Sequence, residues 1–162
     1  MKTKSEIVTV GLKDEEVTSW EGFKTIPHLT IEEVNPDEVD LFVIPGGEPD
    51  KLFNQPQLLE FMNSLYNKNK VMGAICSAPI HFAKAGILNG HKYTTTLPIK
   101  EFDSFNNNEF LNQNVVEDGN LITATAAGYV DFALAIGQKM DIFADKADYE
   151  ETVNYFKYFN QK

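Results

Sequence analysis

The chain has 162 residues, with 14 basic and 24 acidic side chains and a formal net charge of −10. That length fits one domain over 1–162, and 43% apolar residues supply a single core. So acidic a surface repels phosphate backbones and anionic bilayers, which argues against nucleic-acid and membrane partners.

No apolar run approaches the about 20 residues that span a bilayer. Lys2 and Lys4 have no apolar stretch behind them, so the first residues do not read as a secretory signal. One cysteine forms no internal disulfide, and no Cys/His cluster has metal-ligand spacing, so neither metal nor cofactor is expected. The expected compartment is the reducing cytoplasm.

In chain order, Ser5–Leu12 carries Ile7, Val8 and Val10 and predicts a strand. Val17–Ser19 and Phe23–Ile26, around Glu21-Gly22, predict a small hairpin with Trp20 packed on it. Thr30–Val34 predicts a helical turn, broken by Asn35-Pro36. "DLFVIP", 40–45, is a continuous apolar run of strand length, as in a strand buried on both faces. Gln55-Pro56 opens a helix to about Lys68, with Leu58, Met62 and Leu65 at helical spacing beside Leu59 and Tyr66. Lys70–Ile75 predicts a second buried strand, and Ser77–Ala85 a helix that Gly86 terminates.

His91–Thr96 predicts a strand whose threonines reflect β-propensity or line a pocket. Asn106–Asn108 reads as a polar loop. Asn114–Glu117 and Leu121–Thr125 flank Asp118-Gly119, a hairpin turn signal. Gly128–Phe143 and Tyr149–Phe159 predict helices. The last carries Tyr149, Val153 and Phe156, with Tyr155, Tyr158 and Phe159 alongside, as a packing face or a dimer contact. Strands alternating with helices predict an α/β domain with a mostly parallel sheet.

Cys76 stands in "VMGAICSAPIHFAKAGIL", Val71–Leu88, where a buried strand hands over to a helix. Ligands of open α/β sheets bind beyond the carboxyl ends of strands. Unpaired N–H groups at a helix start favour the thiolate. Gly73, Ala74, Ser77 and Ala78 are small enough for a sharp turn, the cysteine counterpart of a nucleophile elbow. The competing reading is a small buried structural residue. After the "DLFVIP" strand, Gly46-Gly47 permits close backbone approach. The N–H groups of Gly47 and Ser77 would make an oxyanion hole; the plainer reading is a loop that needs positive φ. Glu48 follows, as a pocket residue or a solvated carboxylate.

"DLFVIPGGEPDKL", followed by "VMGAICSAPIHFAKAGILNGHKYTT" and "EDGNLITATAAGYVDFALAI", resembles the ThiJ/PfpI family of the class I glutamine amidotransferase-like superfamily. "VTSWEGFKTIPHLTIEEV" resembles the hairpin region of a bacterial branch described as intracellular proteases or amidases. The resemblance implies a flavodoxin-like three-layer sandwich, commonly homodimeric. It implies Cys76 as nucleophile, with Gly47 and Ser77 as backbone donors. Gly46, Glu48 and Ala127 are the candidate pocket residues. The expected function is a cysteine-dependent amidase, peptidase or glyoxalase/deglycase-like enzyme acting on a small-molecule or peptide substrate. The alternatives are a non-enzymatic oxidation-sensing or chaperone-like stress protein, or a purely structural cysteine.

Two departures from the family pattern stand out. Peptidases of the family carry His directly after the elbow cysteine, where this chain has Ser77; His28, His81 and His91 each read as surface or structural residues. The family's usual first strand, whose following loop supplies an acid, has no counterpart when Ser5–Leu12 is aligned with the second strand. A rival alignment makes Ser5–Leu12 the first strand, with Glu15 or Glu16 as the acid. A sheet without its central strand would carry open edges.

Overall fold

The computed structural model describes residues 5–19, 21–106 and 108–160. Trp20, with its expected packing role, Asn107 of the expected polar loop and the first four residues lie outside them.

Four two-residue strands come first: β1 (Val10–Gly11), β2 (Val17–Thr18), β3 (Lys24–Thr25) and β4 (Leu29–Thr30). β2 and β3 form the expected hairpin, and β1 pairs parallel with β4. Then follow β5 (Leu41–Ile44), α1 (Pro56–Asn67), β6 (Val71–Ile75), α2 (Pro79–Lys84), β7 (Lys92–Tyr93), β8 (Glu109–Phe110), β9 (Val115–Asp118), β10 (Leu121–Ala124), α3 (Tyr129–Lys139) and α4 (Lys146–Lys157).

The central sheet has the order β5-β6-β10-β9. β5, β6 and β10 are parallel, and β9 returns antiparallel through the turn at Gly119. Side chains alternate across it. Met72, Ala74 and Ile44 join Leu58, Met62 and Leu65 of α1 and Ile80 and Phe82 of α2 in one core. On the other face Ile122 and Ala124 meet Phe132 and Ala135 of α3, with Val71 and Ile75 alongside. The domain is therefore a helix–sheet–helix sandwich. Met62, Leu65 and Met72 are wholly buried, each stabilising by about 1.5–3 kcal/mol. At Gly73 a methyl group would lie 2.9 Å from Phe132 Cζ, so the α3 ring rests directly on the strand backbone.

α1 starts with Pro56 at its first turn, where the missing N–H costs nothing. It ends in a Schellman motif. Asn69 takes φ +57, its N–H donates to Tyr66 O (2.9 Å), and the Lys70 N–H donates to Leu65 O (3.0 Å). That tight stop aims the chain straight into β6.

Several elements differ from the sequence expectation. Of Ser5–Leu12 only Val10–Gly11 enters a ladder, and Ile7 is left 82% exposed. The start of the expected turn at Thr30–Val34 is strand β4. Glu33 then caps it, accepting from the Thr30 N–H and hydroxyl at 2.8 Å each. The expected strand His91–Thr96 shortens to Lys92–Tyr93, which pairs with β8. Beyond it, threonine hydroxyls replace ladder bonds: the Thr94 N–H donates to Thr123 Oγ1, and Thr94 Oγ1 to Gln113 O. α4 buries no residue; its Tyr155 and Phe156 are exposed, as are Tyr158 and Phe159 just past its end. No helix among the described residues is long and apolar enough to cross a membrane.

Candidate active site

Cys76 follows β6 at the middle of the sheet and is half-buried. Its backbone has φ +64, a left-handed conformation that a residue with a Cβ seldom adopts. Three hydrogen bonds hold it there. The Cys76 N–H donates to Ala124 O (2.8 Å), while Cys76 O accepts from the Thr96 N–H (3.0 Å) and from Thr95 Oγ1 (2.8 Å). Thr96 Oγ1 in turn accepts from the Ala126 N–H at 2.8 Å. The threonines after β7 thus brace the elbow. Among the described residues, nothing forms a hydrogen bond with Cys76 Sγ.

The helix behind the thiol is shorter than its sequence suggests. α2 begins at Pro79 and runs for 6 residues, with Ser77 and Ala78 in the turn before it. So short a helix, starting three residues past the thiol, adds little dipole at Sγ.

The loop after β5 crosses directly over the cysteine. A Cβ on Gly46 would sit 2.6 Å from Cys76 Cβ and 3.2 Å from Sγ, so only glycine allows this approach. Gly47 is tied to the elbow by Ser77. The buried Ser77 hydroxyl donates to Gly47 O (2.8 Å) and accepts from the Gly47 N–H (3.2 Å). The Gly47 amide expected as an oxyanion donor therefore faces Ser77 Oγ, whereas the Ser77 N–H has no acceptor among the described residues.

Gly46, Gly47, Glu48 and Ser77 line one groove of about 560 Å³ with Glu15, Glu16 and His81. Ala127 is exposed in the turn after β10 and does not line that groove. Glu48 is exposed and pairs with Lys51 at 2.9 Å.

The three histidines serve other ends. His28 accepts from the Thr9 N–H (3.0 Å) through Nδ1. His91 shares a 2.9 Å hydrogen bond with the Tyr66 hydroxyl and stands 3.5 Å from Asp118 Oδ2. His81 packs edge-on to Phe53, and its pKa is pushed down to about 4 by burial and then by the Lys84 charge, so it is neutral at pH 7. Among the described residues, no three metal-ligating side chains converge. The Ser77 clamp and the threonine brace were invisible in the sequence, because both join residues 19 to 30 positions apart.

A thiol held in a left-handed turn between a buried parallel strand and a helix defines the class of α/β proteins built around a cysteine elbow. The chain belongs to the DJ-1/PfpI family, whose pattern matches residues 2–139. It is 39% identical over 112 residues to the uncharacterized protein MJ0967 of Methanocaldococcus jannaschii, covering 67% of this chain and 55% of that one. It thus spans little more than half of that relative. It is 30% identical over 125 residues to the deglycase PfpI of Pyrococcus furiosus, covering 76% of this chain and 75% of the relative. The DJ-1 superfamily protein Atu0886 of Agrobacterium tumefaciens shares the fold, with a TM-score of 0.80 at 24% identity over 94% of this chain and 84% of that one.

Proposed function

We propose that the chain is a cysteine-dependent enzyme acting on small reactive carbonyl compounds, with Cys76 Sγ as nucleophile. The observation that carries the reading is the Cys76 backbone at φ +64, pinned by three hydrogen bonds. Such strain persists where surrounding structure over-determines it, and it clusters at functional sites. The similarity to a protein named as a deglycase supports the same chemistry.

The thiolate adds to an aldehyde carbon, the carbonyl π electrons move to oxygen, and that oxygen takes a proton from solvent to give a hemithioacetal. The Ser77 amide would face the developing oxyanion. The Gly47 amide would join it by exchanging its 3.2 Å bond to Ser77 Oγ. Turnover of a 2-oxoaldehyde then moves the carbon-bound proton of the adduct to the adjacent carbonyl carbon through an enediol, and water cleaves the resulting thioester to a 2-hydroxy acid and the free thiol, with solvent carrying the protons. The addition step itself expels no leaving group. It therefore suits a site without an imidazole or carboxylate on Sγ better than peptide cleavage does, since cleavage must protonate a leaving amine.

The test has two readouts. At pH 7 the half-buried Cys76 of the folded protein is expected to be open to alkylation by iodoacetamide. Methylglyoxal consumption is expected with wild type and not with Cys76→Ser. Equal consumption by both proteins would reject the enzyme. Rapid alkylation without consumption would leave only the oxidation-sensing alternative.

A further inference from the structure

We infer that the Ser77 hydroxyl is a placeholder in the oxyanion site: it holds the Gly47 amide while the substrate carbonyl is neutral and yields it only to a negatively charged oxygen. The inference rests on the carbonyl chemistry proposed above and makes the Ser77 side chain a positioning group within it.

The clamp between Ser77 and Gly47 has two unequal halves. Ser77 Oγ donates to Gly47 O at 2.8 Å, the usual length of a good O–H···O bond. It accepts from the Gly47 N–H at 3.2 Å, the long end of the range for N–H···O bonds. One hydroxyl therefore meets both polar backbone groups of one residue. Breaking the longer bond leaves the shorter one to hold the loop. Gly47 stands at φ +155, and a Cβ there would meet nothing within 4 Å. Glycine is thus required by the backbone conformation and not by lack of space.

The two partners differ in access. Ser77 is buried, whereas Gly47 is exposed on the groove. An incoming oxygen can reach the Gly47 amide while the hydroxyl it faces is fixed inside. The other donor, the Ser77 N–H, has no acceptor among the described residues. At rest the site next to Cys76 therefore holds one free donor and one occupied donor.

That asymmetry separates substrate from transition state. A neutral carbonyl oxygen gains little by displacing an equally neutral hydroxyl oxygen. A charged oxygen accepts roughly twice as strongly and displaces it. The Gly47 donor therefore engages only as sulfur adds and charge develops. A contact made only then lowers the barrier without tightening the binding of substrate. Ser77 forms no covalent bond and transfers no proton in this exchange.

Methylglyoxal kinetics of Ser77→Ala test the inference. Without the hydroxyl, the Gly47 amide meets the neutral carbonyl as well as the oxyanion. KM is expected to fall about two- to tenfold, with kcat within about twofold of wild type. Ser77→Gly also removes the hydroxyl, is expected to show the same split, and serves where Ser77→Ala does not fold. An unchanged or higher KM overturns the inference, because the hydroxyl then does not compete for the amide. So does a kcat changed by more than about twofold; a loss of that size would make the hydroxyl an oxyanion donor itself or a mere brace of the loop. Consumption that depends on Cys76, beside unchanged constants in Ser77→Ala, rejects the placeholder alone. Consumption by wild type no greater than by Cys76→Ser rejects the carbonyl chemistry, and the placeholder with it.

Discussion

Replacing His81 with leucine is expected to flatten the acid side of the stability profile. His81 is 3% exposed in α2, edge-on to the Phe53 ring, with the Lys84 ammonium 4.1 Å from the centre of that ring. Burial, and then Lys84, lower its pKa from 6.5 to about 4. Above 6.5 the imidazole is neutral in both the folded and unfolded chain, and its contribution is constant. As pH falls through 6.5 the unfolded chain binds the proton first, so stability drops until the folded group also titrates near 4. Between about pH 7.5 and about pH 4.5 the loss through this one group reaches about 2.5 kcal/mol. Urea denaturation of wild type and His81→Leu at those two values isolates it, because the carboxylates contribute equally to both proteins. Leucine shifts the whole curve by its own packing, so the slopes and not the absolute stabilities are compared. Slopes that agree within about 0.5 kcal/mol would refute a neutral buried imidazole.

Gly46→Ala forces a Cβ to within 2.6 Å of Cys76 Cβ, and neither atom can swing away. It is expected to cost about 1–3 kcal/mol and to change the rate of Cys76 alkylation. Unchanged melting and alkylation would mean the loop does not lie on the thiol. Gly73→Ala meets Phe132 Cζ at 2.9 Å and Ile136 Cδ1 at 3.2 Å, and is expected to destabilise by about 1–3 kcal/mol. Phe132→Leu should recover part of that loss, giving a coupling of at least about 0.5 kcal/mol in a double-mutant cycle. Strict additivity would show that the ring and the strand backbone are not in contact.

Local patterning was enough to place the sheet and its helices. The apolar runs at 41–44 and 71–75 became parallel strands, and the Leu58–Met62–Leu65 stripe became the buried face of α1. Asp118-Gly119 turned β9 into β10, with Gly119 at φ +60. The strand-to-helix position of Cys76 was also legible, because small residues and a change of periodicity mark such a joint. Weaker elements failed where their state depends on a partner. Ile7 and Val8 have strand chemistry, yet strand structure needs a neighbour's backbone, and before β1 it is Thr9 that meets one, its carbonyl accepting from the His28 and Leu29 N–H groups, while Ile7 stays 82% exposed.

What the sequence by itself determined was the order of buried strands and amphipathic helices, since burial demands side-chain periodicity that can be read one residue at a time. The tertiary structure alone decided the conformation and surroundings of the thiol. The φ of Cys76 is fixed by carbonyl and hydroxyl partners at Ala124, Thr95 and Thr96. Ser77 turns inward to clamp Gly47, and Gly46 is there because Cys76 lies against it. Each of these joins residues distant in the chain, and hydrogen-bond geometry between such residues leaves no periodic trace in the sequence.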